Sequence, residues 1–194
     1  MGKYATINPA TGEVVQRFDT ISDADADRAL TRAHEAYLDW RNIELKERAA
    51  VLGRVADLFR QNATALAELT TLEMGKPITQ AKGEVELSAA IFDYYATKGP
   101  VLLADEVLDI AGSGRAIVRT APIGPLLGIM PWNFPYYQAA RFVAPNLLLG
   151  NTILLKHAAI CPQQALRLAE LLDVAGAQLA STRTCSPPPT RSRR

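Results

Sequence analysis

The sequence predicts an α/β protein, in which a helical region and a β-hairpin lead into a parallel βαβα unit. Three observations carry that prediction. Between Asp23 and about Tyr95, apolar residues recur at three- and four-residue steps over several long stretches. The segment Glu106–Thr120 then holds two short runs around Ala-Gly-Ser-Gly, with Ile117 and Val118 favouring a strand. From Ile123 onward an apolar strand, a helix, a second apolar strand and a second helix follow with short links, as in a parallel sheet covered on both faces.

The opening TINPATGEVVQRF reads as strand, turn and strand, with Asn-Pro-Ala-Thr-Gly supplying the bend. Ser22-Asp23 is an N-cap signal for a helix to about Trp40, with Ala26, Ala29, Leu30, Ala33, Tyr37 and Trp40 on its apolar face. His34 lies beside that stripe and is expected at the surface. A second helix is expected over 44–61, burying Leu45, Ala49, Leu52, Val55, Ala56 and Phe59. A third continues from Ala63 to the Met74-Gly75-Lys76-Pro77 corner, where Gly ends one helix and Pro begins the next. The following helix carries Ile78, Ala81, Val85, Ser88, Phe92 and Tyr95 inward, and its Lys82, Glu84 and Glu86 are expected to form a solvated face. Glu84 and Glu86 are two apart, so they form no acid/base pair.

In the parallel unit, Leu126–Met130 and Asn151–Lys156 are the strands, and Tyr136–Leu149 and Pro162 to Gly176 the helices. Ala165, Leu168, Ala169 and Leu172 are expected to face inward. Ligands of such units bind outside the carboxyl ends of the strands, which is where Trp132-Asn133 and Lys156-His157 fall. The turn between the strand and its helix is MPWNFP, in which Pro131 and Pro135 each fix φ near −65° and bracket Trp-Asn-Phe. An Asn in so stiff a turn has its amide aimed by the backbone, as an oxyanion donor must be. The plainer reading is a proline turn with two aromatics tucked into a core.

Composition narrows the function further. A net charge of +1 with 21% charged residues, and no basic stripe interleaved with aromatics, argues against nucleic acid. No apolar run reaches the ~18 residues of a membrane span, and no signal-peptide core opens the chain. Two cysteines, Cys161 and Cys185, have no CxxC spacing and make no disulfide framework, so a reduced, cytoplasmic setting is the expectation. His34 and His157 lie far apart, and no zinc site is expected. Met1-Gly2-Lys3-Tyr4-Ala5-Thr6 fits the myristoylation consensus, but the pattern is short and runs into a strand. Cys161 directly precedes Pro162 at a helix start, and a structural role outweighs a reactive one because no His or carboxylate is placed to serve it. The tail QLASTRTCSPPPTRSRR has three consecutive prolines, four arginines and no acidic residue, and disorder is expected over 178–194.

The segments TINPATGEVV, TLEMGKP, APIGPLLGIMPWNFP and APNLLLGNTILLKHA, in that order over residues 6 to about 177, resemble the aldehyde dehydrogenase superfamily. The resemblance is strongest to its succinate-semialdehyde dehydrogenase-like branch. It implies the N-terminal part of that fold, with an incomplete Rossmann-like parallel βαβ cofactor domain. The expected divisions are 1–105 as strand pair and helices, 106–121 as a hairpin of the oligomerisation region, 122–177 as a partial NAD(P)-binding unit, and 178–194 as a disordered or out-of-frame tail. The family oxidises aldehydes to acids with NAD or NADP through a thiohemiacetal on a cysteine. By resemblance Asn133 is the oxyanion-hole donor, Met130, Trp132 and Asn133 line the cofactor path, and Lys156 bonds the adenosine ribose. His157, Ala158 and Ala159 complete that cofactor segment. Many NAD-preferring members place a Glu three residues beyond the lysine, where this chain has Ala159, so NADP is the expected cofactor, with NAD the alternative.

The resemblance also marks a departure. Family chains are well over twice this length, and the nucleophilic Cys, the general-base Glu and the glycine turn beneath the pyrophosphate fall beyond the matched segments. Two readings follow. One is a family member acting on succinate semialdehyde or a similar small aldehyde, homo-oligomeric in the family though doubtfully so here. The other is an inactive fragment that binds nucleotide or an intact paralogue at most. An unpaired hairpin edge is a further expectation, with poor solubility as its consequence.

Overall fold

Residues 4–177 and 185–186 are described in a computed structural model of the chain. Strands β1 (Tyr4–Ile7) and β2 (Val14–Thr20) pair antiparallel, as their turn chemistry predicts. Within the turn Asn8 Oδ1 accepts from the Ala10 amide at 2.9 Å. Residues 1–3 of the myristoylation pattern lie outside the described residues, whereas Tyr4, Ala5 and Thr6 are buried in β1. Most of the tail is also outside them. Cys185–Ser186, however, forms a short strand β7 on the free edge of β2, which corrects the expectation of disorder at those two positions.

Helix α1 (Asp23–Trp40) starts on Ser22, whose Oγ accepts from the Asp25 amide at 3.2 Å. It buries Ala29, Ala33 and Trp40, but Leu30 is 54% exposed, so the expected face is too wide by that residue. The cause is the small contact area. The helix leans chiefly on one strand, where Ala33 meets Leu154 and the Ala33 carbonyl accepts from Thr152 Oγ1 at 2.8 Å. Helices α2 (Leu45–Gln61), α3 (Ala63–Met74) and α4 (Ile78–Leu102) follow in the predicted places. Gly75 ends α3 at φ 75°, a left-handed conformation that costs a side-chain-bearing residue roughly 1–2 kcal/mol.

Strands β3 (Glu106–Leu108) and β4 (Ala116–Val118) form the predicted hairpin, which stands apart as its own two-stranded sheet. Next come β5 (Pro125–Ile129), α5 (Pro135–Leu149), β6 (Thr152–Lys156) and α6 (Pro162–Val174). Strands β5 and β6 are parallel, so the crossover reading of the sequence is borne out. In α6 the inward side is Gln164, Leu168, Leu171 and Leu172, while Ala165 and Ala169 are only half-buried.

The main core joins α2, α4, α5 and α6. Phe59 lies 5.5 Å from Phe92 and 5.7 Å from Tyr136 between ring centroids, the latter pair edge to face. Both ends of α5 are held by side chains of other helices, since its end groups lack intrahelical partners. At its C-terminus Trp40 Nε1 donates to Leu147 O at 2.9 Å and Arg48 Nε to Leu148 O at 2.8 Å. At its N-terminus stands Glu84. That residue is buried, at 3% exposure, and the expected solvated face of α4 is wrong at this position. The physical reason is that the α5 amides and Lys76 together replace the water a buried carboxylate gives up.

Candidate active site

Strands β5 and β6 end level with each other. Their parallel ladder runs from Pro125 opposite Thr152 to Ile129 opposite Lys156, and the Met130 amide donates to Lys156 O at 3.0 Å. Both strand-to-helix turns therefore leave from one edge. Beyond β5, Pro131 to Phe134 are exposed, and the Trp132 indole is 53% exposed. The Asn133 side-chain amide is exposed and has no hydrogen-bond partner among the described residues. Beyond β6, Lys156 is half-buried, and its ammonium has no carboxylate partner among the described residues. Met130, Trp132, Asn133 and Lys156 are thus gathered on the rim that the sequence predicts.

His157 is not on that rim. Its ring is buried, Nδ1 accepts from the Ala158 amide at 2.9 Å, and Nε2 lies 3.1 Å from Pro135 O. With Nδ1 accepting, the proton sits on Nε2 and is donated to Pro135 O. The ring therefore bolts one turn to the other. Burial pushes its pKa below the usual value, the Pro135 contact opposes that, and the Lys156 charge adds to it. Ala158 and Ala159 are half-buried, and Ala159 packs against Tyr4 and Phe18 of the β1–β2 pair.

Two buried glutamates hold the turns from behind. Glu84 Oε1 accepts from the Tyr136 and Tyr137 amides at 2.9 and 3.2 Å, capping α5. Glu73 caps α6, with Oε1 accepting from the Gln163 amide at 2.9 Å and Oε2 from the Gln164 amide at 3.0 Å. Burial raises the Glu73 pKa, and the Thr6 hydroxyl and those amides oppose the rise. A carboxylate at a helix N-terminus also complements the helix dipole. Neither N-terminus is consequently open to a phosphate, and the groups this edge leaves exposed or half-buried include the Trp132 ring and the Lys156 side chain.

Sequence reasoning missed Glu73, Lys76 and Glu84 as parts of the site. A signal for the glutamates was present. Glu84 falls three residues after Ala81 and four before Ser88, and Glu73 three after Thr70, all on buried stripes. A charge on a buried stripe requires a partner, and two helix N-termini were there to supply one. Cys161, the N-cap of α6, is fully buried, and burial followed by the Glu73 and Glu84 charges pushes its thiol up to about 12. It is structural, as expected, and unfit as a nucleophile.

The arrangement offers one unengaged amide donor beside a cation and an exposed indole, at the carboxyl ends of two parallel strands. That is chemistry for steadying a negative oxygen next to a bound nucleotide. Comparison with known proteins identifies the family. The sequence profile described as "Aldehyde dehydrogenase family" matches residues 2–179. The succinate-semialdehyde dehydrogenase [NADP(+)] of Deinococcus radiodurans is 47% identical over 173 residues, which span 89% of this chain and 36% of that one. The Mycobacterium avium protein of the same name is 47% identical over 175 residues, covering 89% and 37%. The crystal structure of succinic semialdehyde dehydrogenase from Streptococcus pyogenes with NADP+ superposes at TM-score 0.87 and 43% identity, covering 92% of this chain and 39% of that one. This chain therefore spans under two-fifths of the length of these relatives. With the profile matching residues 2–179, the chain belongs to the aldehyde dehydrogenase family.

Proposed function

We propose that this chain carries the oxyanion donor and part of the nucleotide rim of an NADP-dependent enzyme that oxidises succinate semialdehyde or a similar small aldehyde to its acid. The observation that carries the proposal is the exposed Asn133 amide, without a hydrogen-bond partner among the described residues and set on the same edge as Lys156 by the Met130–Lys156 hydrogen bond. NADP, when bound, supplies the hydride acceptor. Asn133 donates to the oxygen that becomes negative when a thiolate adds to the aldehyde, and losing such a donor slows reaction by roughly a hundred- to a thousandfold. Lys156 binds the ribose and its 2′-phosphate, which no carboxylate at position 159 repels. Residues 122–177 form the nucleotide-binding part, residues 1–105 support it, and the hairpin within 106–121, with its exposed Val107 and Val118, is the oligomerisation element.

The second reading, an inactive chain that binds nucleotide, draws on Cys161, whose thiol is buried and held near 12. The two readings are separable. Residues 4–177 are spliced in place of the matching segment of the Deinococcus radiodurans relative, and NADPH formation from succinate semialdehyde is followed. The expected result is turnover that Asn133→Ala slows by about a hundredfold or more. Full activity in the Asn133→Ala splice sinks the oxyanion assignment. The 194-residue chain alone is expected to bind NADP and form no NADPH.

A further inference from the structure

We propose that Lys76 and Glu84 are positioning residues, a buried ion pair that fixes the Asn133 turn independently of the core; this rests on reading Asn133 as the oxyanion donor. The Asn133 amide has no hydrogen-bond partner among the described residues, so of its surroundings it is the backbone that positions it. That backbone is tethered at one point. Lys76 Nζ donates to Asn133 O at 2.9 Å. The same ammonium lies 3.7 Å from the centroid of the Phe134 ring, within reach of a cation–π attraction. It is also paired with Glu84 Oε2, both side chains being nearly inaccessible, at 6% and 1% exposure.

Glu84 completes the grip with its other oxygen, which takes the Tyr136 and Tyr137 amides. One ion pair thus holds the carbonyl of residue 133, the ring of 134 and the amides of 136 and 137. The two charges also have distinct jobs. The carboxylate answers the positive end of α5, whereas the ammonium answers the carboxylate and reaches past it to the turn. Removing the ammonium frees residue 133 without freeing the helix. A buried ammonium has three donors to satisfy, and the one left over by the carboxylate and the ring goes to the Asn133 carbonyl, which ties the turn to the pair.

The test uses the whole 194-residue chain and nuclear magnetic resonance. The double variant K76M/E84Q removes both charges together, so neither is left unpaired, and the Gln carbonyl still accepts from the α5 amides. Backbone order parameters are measured for Trp132–Phe134, for Tyr136–Tyr137, and for Phe59 and Phe92 in the core. In the wild type and in K76R, which keeps a cation, Trp132–Phe134 is expected near the rigid value of about 0.85. In K76M/E84Q those residues fall below about 0.6, while Tyr136–Tyr137 and the core stay rigid. Two results overturn the proposal. If Trp132–Phe134 stays rigid in K76M/E84Q, the two prolines alone hold the turn. If order is lost equally in the core, the pair is merely structural. Neither result touches the oxyanion reading, which fails separately through full activity in the Asn133→Ala splice.

Discussion

Arg48 Nε donates to the carbonyl oxygen of Leu148 at 2.8 Å, which sets a buried cation on the last turn of α5 while Glu84 occupies its first. The helix that follows the Asn133 turn is therefore clamped at both ends by charges that oppose its dipole. Arg48 also bonds Ile43 O, tying the α1–α2 link to the same spot. Arg48→Met removes hydrogen bonds from a charged donor to the Leu148 and Ile43 carbonyls. A loss of about 2–3 kcal/mol in unfolding free energy is expected, read as a lower urea midpoint at unchanged slope. Arg48→Lys is expected to recover less than half of it, since an ammonium lacks the planar fork that spans several carbonyls.

Gly75 joins the two glutamate devices. Glu73 faces α6 and Lys76 faces α5, and only a sharp reversal between them directs two residues so close in sequence to different helices. The reversal uses φ 75° at Gly75, and a Cβ there lies 3.1 Å from Pro9 Cγ. Gly75→Ala is expected to cost about 1–2 kcal/mol by denaturant unfolding. A neutral effect sinks the idea that this corner is under conformational constraint.

The sequence makes the helices, the hairpin and the parallel strands legible because each depends on local period and turn chemistry. Ser22 before α1, Gly75 after α3 and Gly150 after α5 all mark true ends. The placement of Asn133 and Lys156 was equally legible, because both follow directly from strand ends. What escaped was every contact across long separations. Glu84 was read as solvent-facing since its partners, Lys76 and the amides of 136 and 137, lie on other elements. The inward turn of the His157 ring escaped since nothing local shows that it reaches back to Pro135. Charge pattern on one helix reveals neither.

His157 gives the chain a pH dependence of definite sign. Its pKa is lowered from 6.5 in the fold, so on acidification the unfolded chain binds the proton first. The stability it contributes is therefore fully present above about pH 6.5 and is lost as pH falls through the lower folded value. Glu73 works oppositely: its pKa is raised, so its contribution is lost as pH rises from 4.5 through the folded value. The two are separated by comparing wild type with His157→Asn, in which Glu73 is common. The difference in unfolding free energy is expected to shrink as pH falls from about 7.5 to 5.5. A constant difference shows that His157 takes up its proton equally in the folded and unfolded chain, and refutes the assignment.

Ala159 provides the last prediction, on nucleotide choice. The residue lies three positions after Lys156 in the turn that follows β6, half-buried beside Tyr4 and Phe18. On the proposed nucleotide site a carboxylate at this position stands near the 2′-phosphate that distinguishes NADP from NAD, and like charges a few ångströms apart repel even across water. Ala159→Glu is therefore expected to weaken NADP binding by about tenfold or more in calorimetric titration, and NAD binding far less. The contrast between the two nucleotides matters more than either affinity, because disruption of the Tyr4–Phe18 packing lowers both together. Equal losses place the 2′-phosphate away from this turn and remove Lys156 from its recognition. A selective loss of NADP binding fixes the adenosine end of the nucleotide at the carboxyl end of β6.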